Sequence, residues 1–131
     1  MHVIRLRGPF DRVEAGAESP PLSRIDVPLA VLPQDLSGAR LLRRFGYPTG
    51  IEPSDRIFLE AKQFPAGALL LLNGEPLGEI PAEGTLRREV GTQLKPRSTL
   101  EVILPQLQQL AASLDSVEGG WLQVQLEIVP R

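Results

Sequence analysis

The chain of 131 residues contains no cysteine and a single histidine, His2. The lack of cysteine excludes disulfides, thiolate metal sites and cysteine nucleophiles. One histidine beside a terminus does not supply a Ser-His-Asp triad or a multi-histidine metal site. The sequence also has no Gly-rich phosphate loop followed by a helix and no loop with calcium-binding spacing. We therefore expect no metal site and no cofactor.

Net charge and long apolar runs are also scarce. With 14 basic and 16 acidic residues the formal net charge is −2, so no long-range field gathers nucleic acid or an anionic membrane. The longest uninterrupted apolar run is AGALLLL at 66–72, far below the ~20 residues that span a bilayer. No secretory signal precedes the first acidic residues. We expect no nucleic-acid partner, no membrane partner and a cytoplasmic location.

Short segments of alternating apolar and polar residues make up much of the chain. Thirteen prolines and twelve glycines separate them and leave little room for long helices, since proline interrupts helix interiors and central strands. The clearest segment, WLQVQLEIV at 121–129, alternates aliphatic residues with Gln123, Gln125 and Glu127. Such alternation is typical of half-buried strands. Strands are predicted near 2–7, 24–31, 39–46, 56–61, 68–73, 76–80, 85–90, 98–104 and 120–129.

Two segments depart from this alternation. Leu107, Leu110 and Leu114 recur at helical spacing, which predicts a short helix near 105–115 that ends before Gly119-Gly120. Residues 8–23 are rich in proline and glycine and are interpreted as a loop. A chain of this length suits one domain, 1–131. Many short strands with almost no helix favour an all-β fold, an antiparallel two-sheet β-sandwich of jelly-roll type.

Several of these segments follow one another in a recognisable order. A basic-rich strand ends at Phe45, an alternating strand carries Ile57 and Leu59, and the hairpin LLNGEPLGE, the segment REVGTQLKP and the strand TLEVIL follow. This order resembles the N-terminal sugar-binding, jelly-roll domain of the family 2 glycoside hydrolases, the beta-galactosidase and beta-glucuronidase group. More broadly, the chain is similar to galactose-binding-like domains.

The resemblance implies a non-catalytic module that binds carbohydrate. In the enzymes of that family the domain precedes a second sandwich and a catalytic barrel, and the present sequence contains no such barrel, so we expect no enzyme activity. The alternative is a protein-interaction or structural module on the same fold, including a homodimer formed through an exposed strand edge. Fold alone does not decide between them.

Aromatic residues are few, and sugar sites commonly stack them against pyranose rings. Tyr47 lies in the loop FGYPTG and is the best placed for an exposed contact, with Arg44 beside it. Trp121 follows two glycines and is either at the rim of the core or facing a ligand. Asn73 precedes Gly74, and a turn that needs positive φ already explains it. These four residues are the candidate ligand contacts.

Three phenylalanines lie in or beside predicted strands. We expect Phe45, Phe58 and Phe64 to belong to the core.

Overall fold

The computed structural model describes residues 2–13, 23–30, 32, 34–107 and 119–130. The described strands are β1 (His2–Arg5), β2 (Phe10–Val13), β3 (Ser23–Ile25), β4 (Arg40–Gly46), β5 (Arg56–Lys62), β6 (Leu69–Leu72), β7 (Glu75–Glu79), β8 (Leu86–Glu89), β9 (Arg97–Ile103) and β10 (Gln123–Val129). A 3-10 turn, Gln34–Leu36, precedes β4. Among these residues no helix is long and apolar enough to cross a membrane.

The strands form two antiparallel sheets. The order is β1-β10-β5-β8 in the four-stranded sheet and β3-β2-β4-β9-β6-β7 in the six-stranded sheet. The predicted all-β, two-sheet sandwich is therefore confirmed.

The core lies between the sheets, and leucine is its most frequent residue. Alternation places Leu41, Leu59, Leu70, Leu100 and Leu126 inward, each at most 1% exposed. Because side chains on a strand alternate between the two faces, the residues between them point to the outer face of their sheet. Each sheet therefore has an outer face, formed by the residues that alternate with the core residues along each strand.

The strand connections define the two ends of the sandwich. At the first end, Gly46 pairs with Arg97, and residues 47–55 lead from β4 to β5. At the second end, Leu69 pairs with Ile103, and residues 63–68 lead from β5 to β6. We call these the 47–55 end and the 63–68 end.

Two predictions about local structure were wrong. Residues 10–13 form β2, because this segment pairs with both β3 and β4 and its Phe10 is only 1% exposed. The strand predicted over 24–31 ends at Ile25, after which Leu29 forms an isolated bridge with Trp121. Most of the predicted helix near 105–115 falls at 108–115, outside the described residues.

The phenylalanines follow the core prediction with one exception. Phe45 and Phe64 are 8% and 2% exposed. Phe58 is the exception and is half-buried. Its neighbours Ile57 and Leu59 point into the core, so Phe58 lies on the outer face of the four-stranded sheet.

Candidate functional site

A network of connected polar side chains lies on the outer face of the four-stranded sheet. Gln125 of β10 stands opposite Glu60 of β5. The Gln125 Nε2 group donates to Glu60 Oε1 at 3.2 Å and to Glu127 Oε2 at 3.3 Å. Lys62 Nζ lies 3.1 Å from the same Glu60 oxygen. One amide therefore links two carboxylates and fixes their relative position.

The buried member of this network is Glu127. Its side chain is 8% exposed, and Arg87 Nε donates to Glu127 Oε1 at 2.6 Å. The Arg87 guanidinium also lies 3.9 Å from the centroid of the Phe58 ring, a cation–π contact. A buried carboxylate is costly without a charged partner, so Arg87 stabilises Glu127 there. Glu127 in turn orients the Gln125 amide.

A cavity of about 370 Å³ opens beside this network, towards the edge formed by β1. Its polar lining comes from Arg5, Arg7, Glu60, Lys62, Gln123 and Gln125. Pro28 adds an exposed apolar wall. The volume lies within the range of small-molecule sites, roughly 300–1,000 Å³.

Several polar atoms of this cavity have no partner among the described residues. Glu60 Oε1 accepts from both Gln125 and Lys62, which leaves Glu60 Oε2 open. The Gln125 side chain donates twice, which leaves its Oε1 open. Arg5 and Arg7 are exposed, and neither guanidinium has a hydrogen bond or ion pair within the described part of the chain. Hydrogen-bond acceptors and donors therefore both face the cavity.

A second cavity, of about 440 Å³, lies at the 47–55 end. Each of its charged side chains already has a partner. Arg56 binds the Glu89 carboxylate through Nε and its NH2 group, at 3.1 and 3.0 Å. Asp55 Oδ2 accepts from the Glu52 amide at 2.9 Å. Unlike the first cavity, it has no charged side chain without a partner among the described residues.

Tyr47 and Arg44 lie at and near the 47–55 end, on the six-stranded sheet. Tyr47 is 44% exposed, and its backbone N–H donates to Pro96 O at 3.1 Å. The Arg44 side chain is 61% exposed and lies 3.7 Å from Asp11. Tyr47 thus has the exposure that the sequence predicts, and its role as a ligand contact stays a prediction.

Asn73 occupies the hairpin turn and has its side chain fully engaged. Its φ is 52°, in the region that asparagine tolerates. Asn73 Nδ2 donates to Gln93 O at 2.9 Å, and Asn73 Oδ1 accepts from the Thr99 amide at 2.9 Å. A structural role accounts for all these contacts.

Trp121 lies at the opposite end of the molecule from Tyr47. It is 8% exposed, and its backbone exchanges hydrogen bonds with Leu29 at 2.7 and 2.9 Å. It precedes β10, whose Gln123 pairs with Lys62 at the 63–68 end. The predicted contacts therefore do not form one site, and Trp121 packs with the core.

The cavity residues Arg5, Glu60 and Gln125 are absent from the sequence-based candidates. Their only signal is the polar side of the alternating segments, where Gln123, Gln125 and Glu127 recur at every second position. Which polar residues meet depends on strand register across 65 positions of sequence, and alternation does not give that register. The described residues contain no cluster of three or more histidine or acidic side chains that would hold a metal ion.

Comparison with known proteins gives matches in structure alone. No protein-family model and no curated protein sequence matches the chain. Among solved structures, a beta-glucuronidase from an uncultured Clostridium sp. matches with a TM-score of 0.68 at 15% identity, over 99% of this chain and 29% of the enzyme. A Bacteroides uniformis beta-glucuronidase matches with a TM-score of 0.71 at 17% identity, over 98% and 18%. A beta-D-mannosidase from Dictyoglomus thermophilum matches with a TM-score of 0.68 at 14% identity, over 97% and 22%.

The chain thus spans less than a third of the length of these enzymes. At such identities the likeness is one of fold. The predicted resemblance to a domain of the beta-galactosidase and beta-glucuronidase group is confirmed at that level: the chain has the β-sandwich fold found in part of these glycosidases.

Proposed function

We propose that the chain is a non-catalytic module that binds a carbohydrate in the polar cavity on the outer face of its four-stranded sheet. The observation that carries the proposal is the pair of acceptors Glu60 Oε2 and Gln125 Oε1 beside the guanidinium groups of Arg5 and Arg7, all without a partner among the described residues. A polyhydroxylated ring both donates and accepts hydrogen bonds, so it needs this mixture. The fold shared with glycosidases is a supporting argument by analogy.

The network makes these acceptors suitable because it holds them in place. Lys62 and Gln125 fix one oxygen of Glu60, and Glu127 fixes the Gln125 amide. A ligand hydroxyl then meets an oriented carboxylate and loses little entropy in the protein on binding. Pro28 offers an apolar surface for the C–H side of a ring.

The same geometry argues against glycoside cleavage by the two carboxylates. A glycosidase needs both carboxyl groups to face an open space that holds the scissile bond. Here the Gln125 amide bonds to both carboxylates, and Glu127 is 8% exposed and bound to Arg87. A sugar does not enter between them.

The proposal is tested by a glycan array followed by calorimetric titration of the best ligand. We expect Glu60→Gln to weaken binding by about tenfold or more, since hydrogen bonds to charged groups contribute roughly 1.5–3 kcal/mol. Glu83→Gln is the matched control, because Glu83 is exposed in the β7–β8 connection and outside the cavity. It should bind as the wild type does.

Tyr47→Ala separates the cavity from the site suggested by sequence. If the ligand binds in the cavity, the variant has the affinity of the wild type. If the ligand binds at Tyr47, the variant no longer binds it. An array with no positive glycan, or equal binding by wild type and Glu60→Gln, contradicts the proposal.

A further inference from the structure

The outer face of the six-stranded sheet differs from that of the four-stranded sheet. It carries Leu42 of β4, Ile103 of β9, and Leu69 and Leu71 of β6, all half-buried. Leu69 and Ile103 are cross-strand partners, and Leu42 and Leu71 flank Glu101 in one row. We call these four residues the aliphatic face.

Strand β6 shows the contrast most clearly, because it consists of four leucines. Leu70 and Leu72 are fully buried in the core, while Leu69 and Leu71 point outward. A strand with one solvated face normally alternates apolar and polar residues, and a continuous apolar run is typical of a strand covered on both faces. The composition of β6 therefore indicates that something covers the aliphatic face.

Two charged side chains, Arg40 and Glu101, lie next to the aliphatic face and neutralise each other. The Arg40 NH2 group donates to Glu101 Oε1 at 2.9 Å, and these side chains are 27% and 17% exposed. The hydrogen bond to Glu101 raises the pKa of Arg40 above its usual value. A paired Arg and Glu present no net charge that would repel an identical surface.

The margins of the sheet carry opposite charges. On the β3 margin, Arg24 projects from the outer face with a 76% exposed side chain and lies 3.6 Å from Asp11. Arg44 lies 3.7 Å from the same Asp11 carboxylate, so these three side chains together keep one net positive charge. On the β7 margin, Glu79 pairs with the outward-facing Leu69 and is exposed. A two-fold axis parallel to the strands, between two facing sheets, reverses the strand order and sets the Arg24 margin of one copy against the Glu79 margin of the other.

We propose that the aliphatic face binds a second copy of this chain about such an axis. Interfaces with two-fold symmetry require a self-complementary surface, and the neutral centre with opposite margins meets this condition. The described strands cover a projected area on the order of 500 Å², from strand spacings of ~4.8 Å and ~3.3 Å per residue. This is near the lower limit for specific interfaces, where weak and transient complexes are found, so we expect the dimer to be weak. The polar cavity lies on the opposite sheet and stays accessible in both copies.

Sedimentation velocity from about 5 to about 300 µM tests the proposal, a range that spans micromolar dissociation constants. We expect the mass to rise from 14.3 kDa towards twice that value with concentration. Leu71→Glu should keep the monomer mass throughout. Val129→Glu is the matched control, because Val129 is half-buried on the other sheet opposite Arg56, and it should dimerise normally.

Charge reversal tests the orientation without touching the core. Arg24→Glu should weaken the dimer at least threefold, and the double variant Arg24→Glu/Glu79→Arg should restore it. A monomer mass at every wild-type concentration, dimerisation by a folded Leu71→Glu variant, or no rescue by the double variant would overturn the proposal. The rescue experiment remains decisive if Leu71→Glu fails to fold.

Discussion

Replacing Gly8 with alanine is expected to lower the free energy of unfolding by about 2–3 kcal/mol, the upper part of the range for overpacked sites. A Cβ atom at Gly8 would lie 2.6 Å from Val27 N and 2.8 Å from Asp26 Cα. Both are backbone atoms, so no side-chain rotation relieves the contact. The Gly8 amide also donates to Val27 O at 3.1 Å, and this bond is lost if the segments separate.

The matched control for Gly8 is Gly46→Ala. The nearest atom to a Cβ at Gly46 is Pro96 O at 3.9 Å, an ordinary contact. We expect this variant to unfold within about 0.5 kcal/mol of the wild type, as for most substitutions away from packed sites. Urea unfolding of both variants measures the difference. Equal stability of the two would mean that the close approach at Gly8 does not constrain the fold.

The Gly8 contact also bears on the cavity. Arg7 directly precedes Gly8, and Val27 and Pro28 line the same cavity. Separation of the two segments would move this wall relative to Glu60. We therefore expect the fraction of Gly8→Ala that remains folded to bind the array ligand more weakly than Gly46→Ala.

Asn73→Ala is expected to lower the free energy of unfolding by about 2–4 kcal/mol, from an unsatisfied amide and a strained turn. The variant leaves the part-buried Thr99 N–H without its acceptor. It also removes the donor to Gln93 O and places alanine at a φ of 52°. Thermal and urea unfolding measure the loss.

Asn73→Asp is the graded control, because aspartate keeps the acceptor for Thr99 N–H and tolerates the same backbone conformation. It loses the donation to Gln93 O and Ser98 Oγ and turns a carboxylate oxygen towards the Gln93 carbonyl. We therefore expect it to be less stable than the wild type, while it keeps the Thr99 bond that Asn73→Ala loses. An alanine variant as stable as the wild type would contradict a structural role. A stable variant with lost ligand binding would favour the ligand role that the sequence suggests.

The fold was predictable from the sequence where local signals agree with tertiary pairing. Strict alternation in 121–129 identified β10. Asn73-Gly74 identified the turn between β6 and β7, because few other residues accept positive φ. Strand β2 was missed because its four residues, FDRV, stand in a segment rich in proline and glycine. Pairing with β3 and β4 stabilises it, and β4 begins only at Arg40, far from β2 in the sequence.

The candidate site was less predictable because it depends on register and on which end of the sandwich each residue occupies. Tyr47 and Trp121 are both aromatic and both follow glycines in the sequence, yet they lie at opposite ends of the molecule. Glu60 and Gln125 are unremarkable polar residues until β5 and β10 pair them. The pattern of a single sequence shows which side chains of a strand lie on the same face. It does not show which strand lies next to it or which residues pair.

The most direct test of the proposed carbohydrate site is an amide chemical-shift titration of the ¹⁵N-labelled chain with the best glycan from the array. Binding in the cavity predicts saturable shifts at Arg5, Glu60 and Gln125, with Tyr47 and Arg44 unchanged. Shifts confined to Tyr47 and Arg44, or no saturable shifts at any amide, would contradict it.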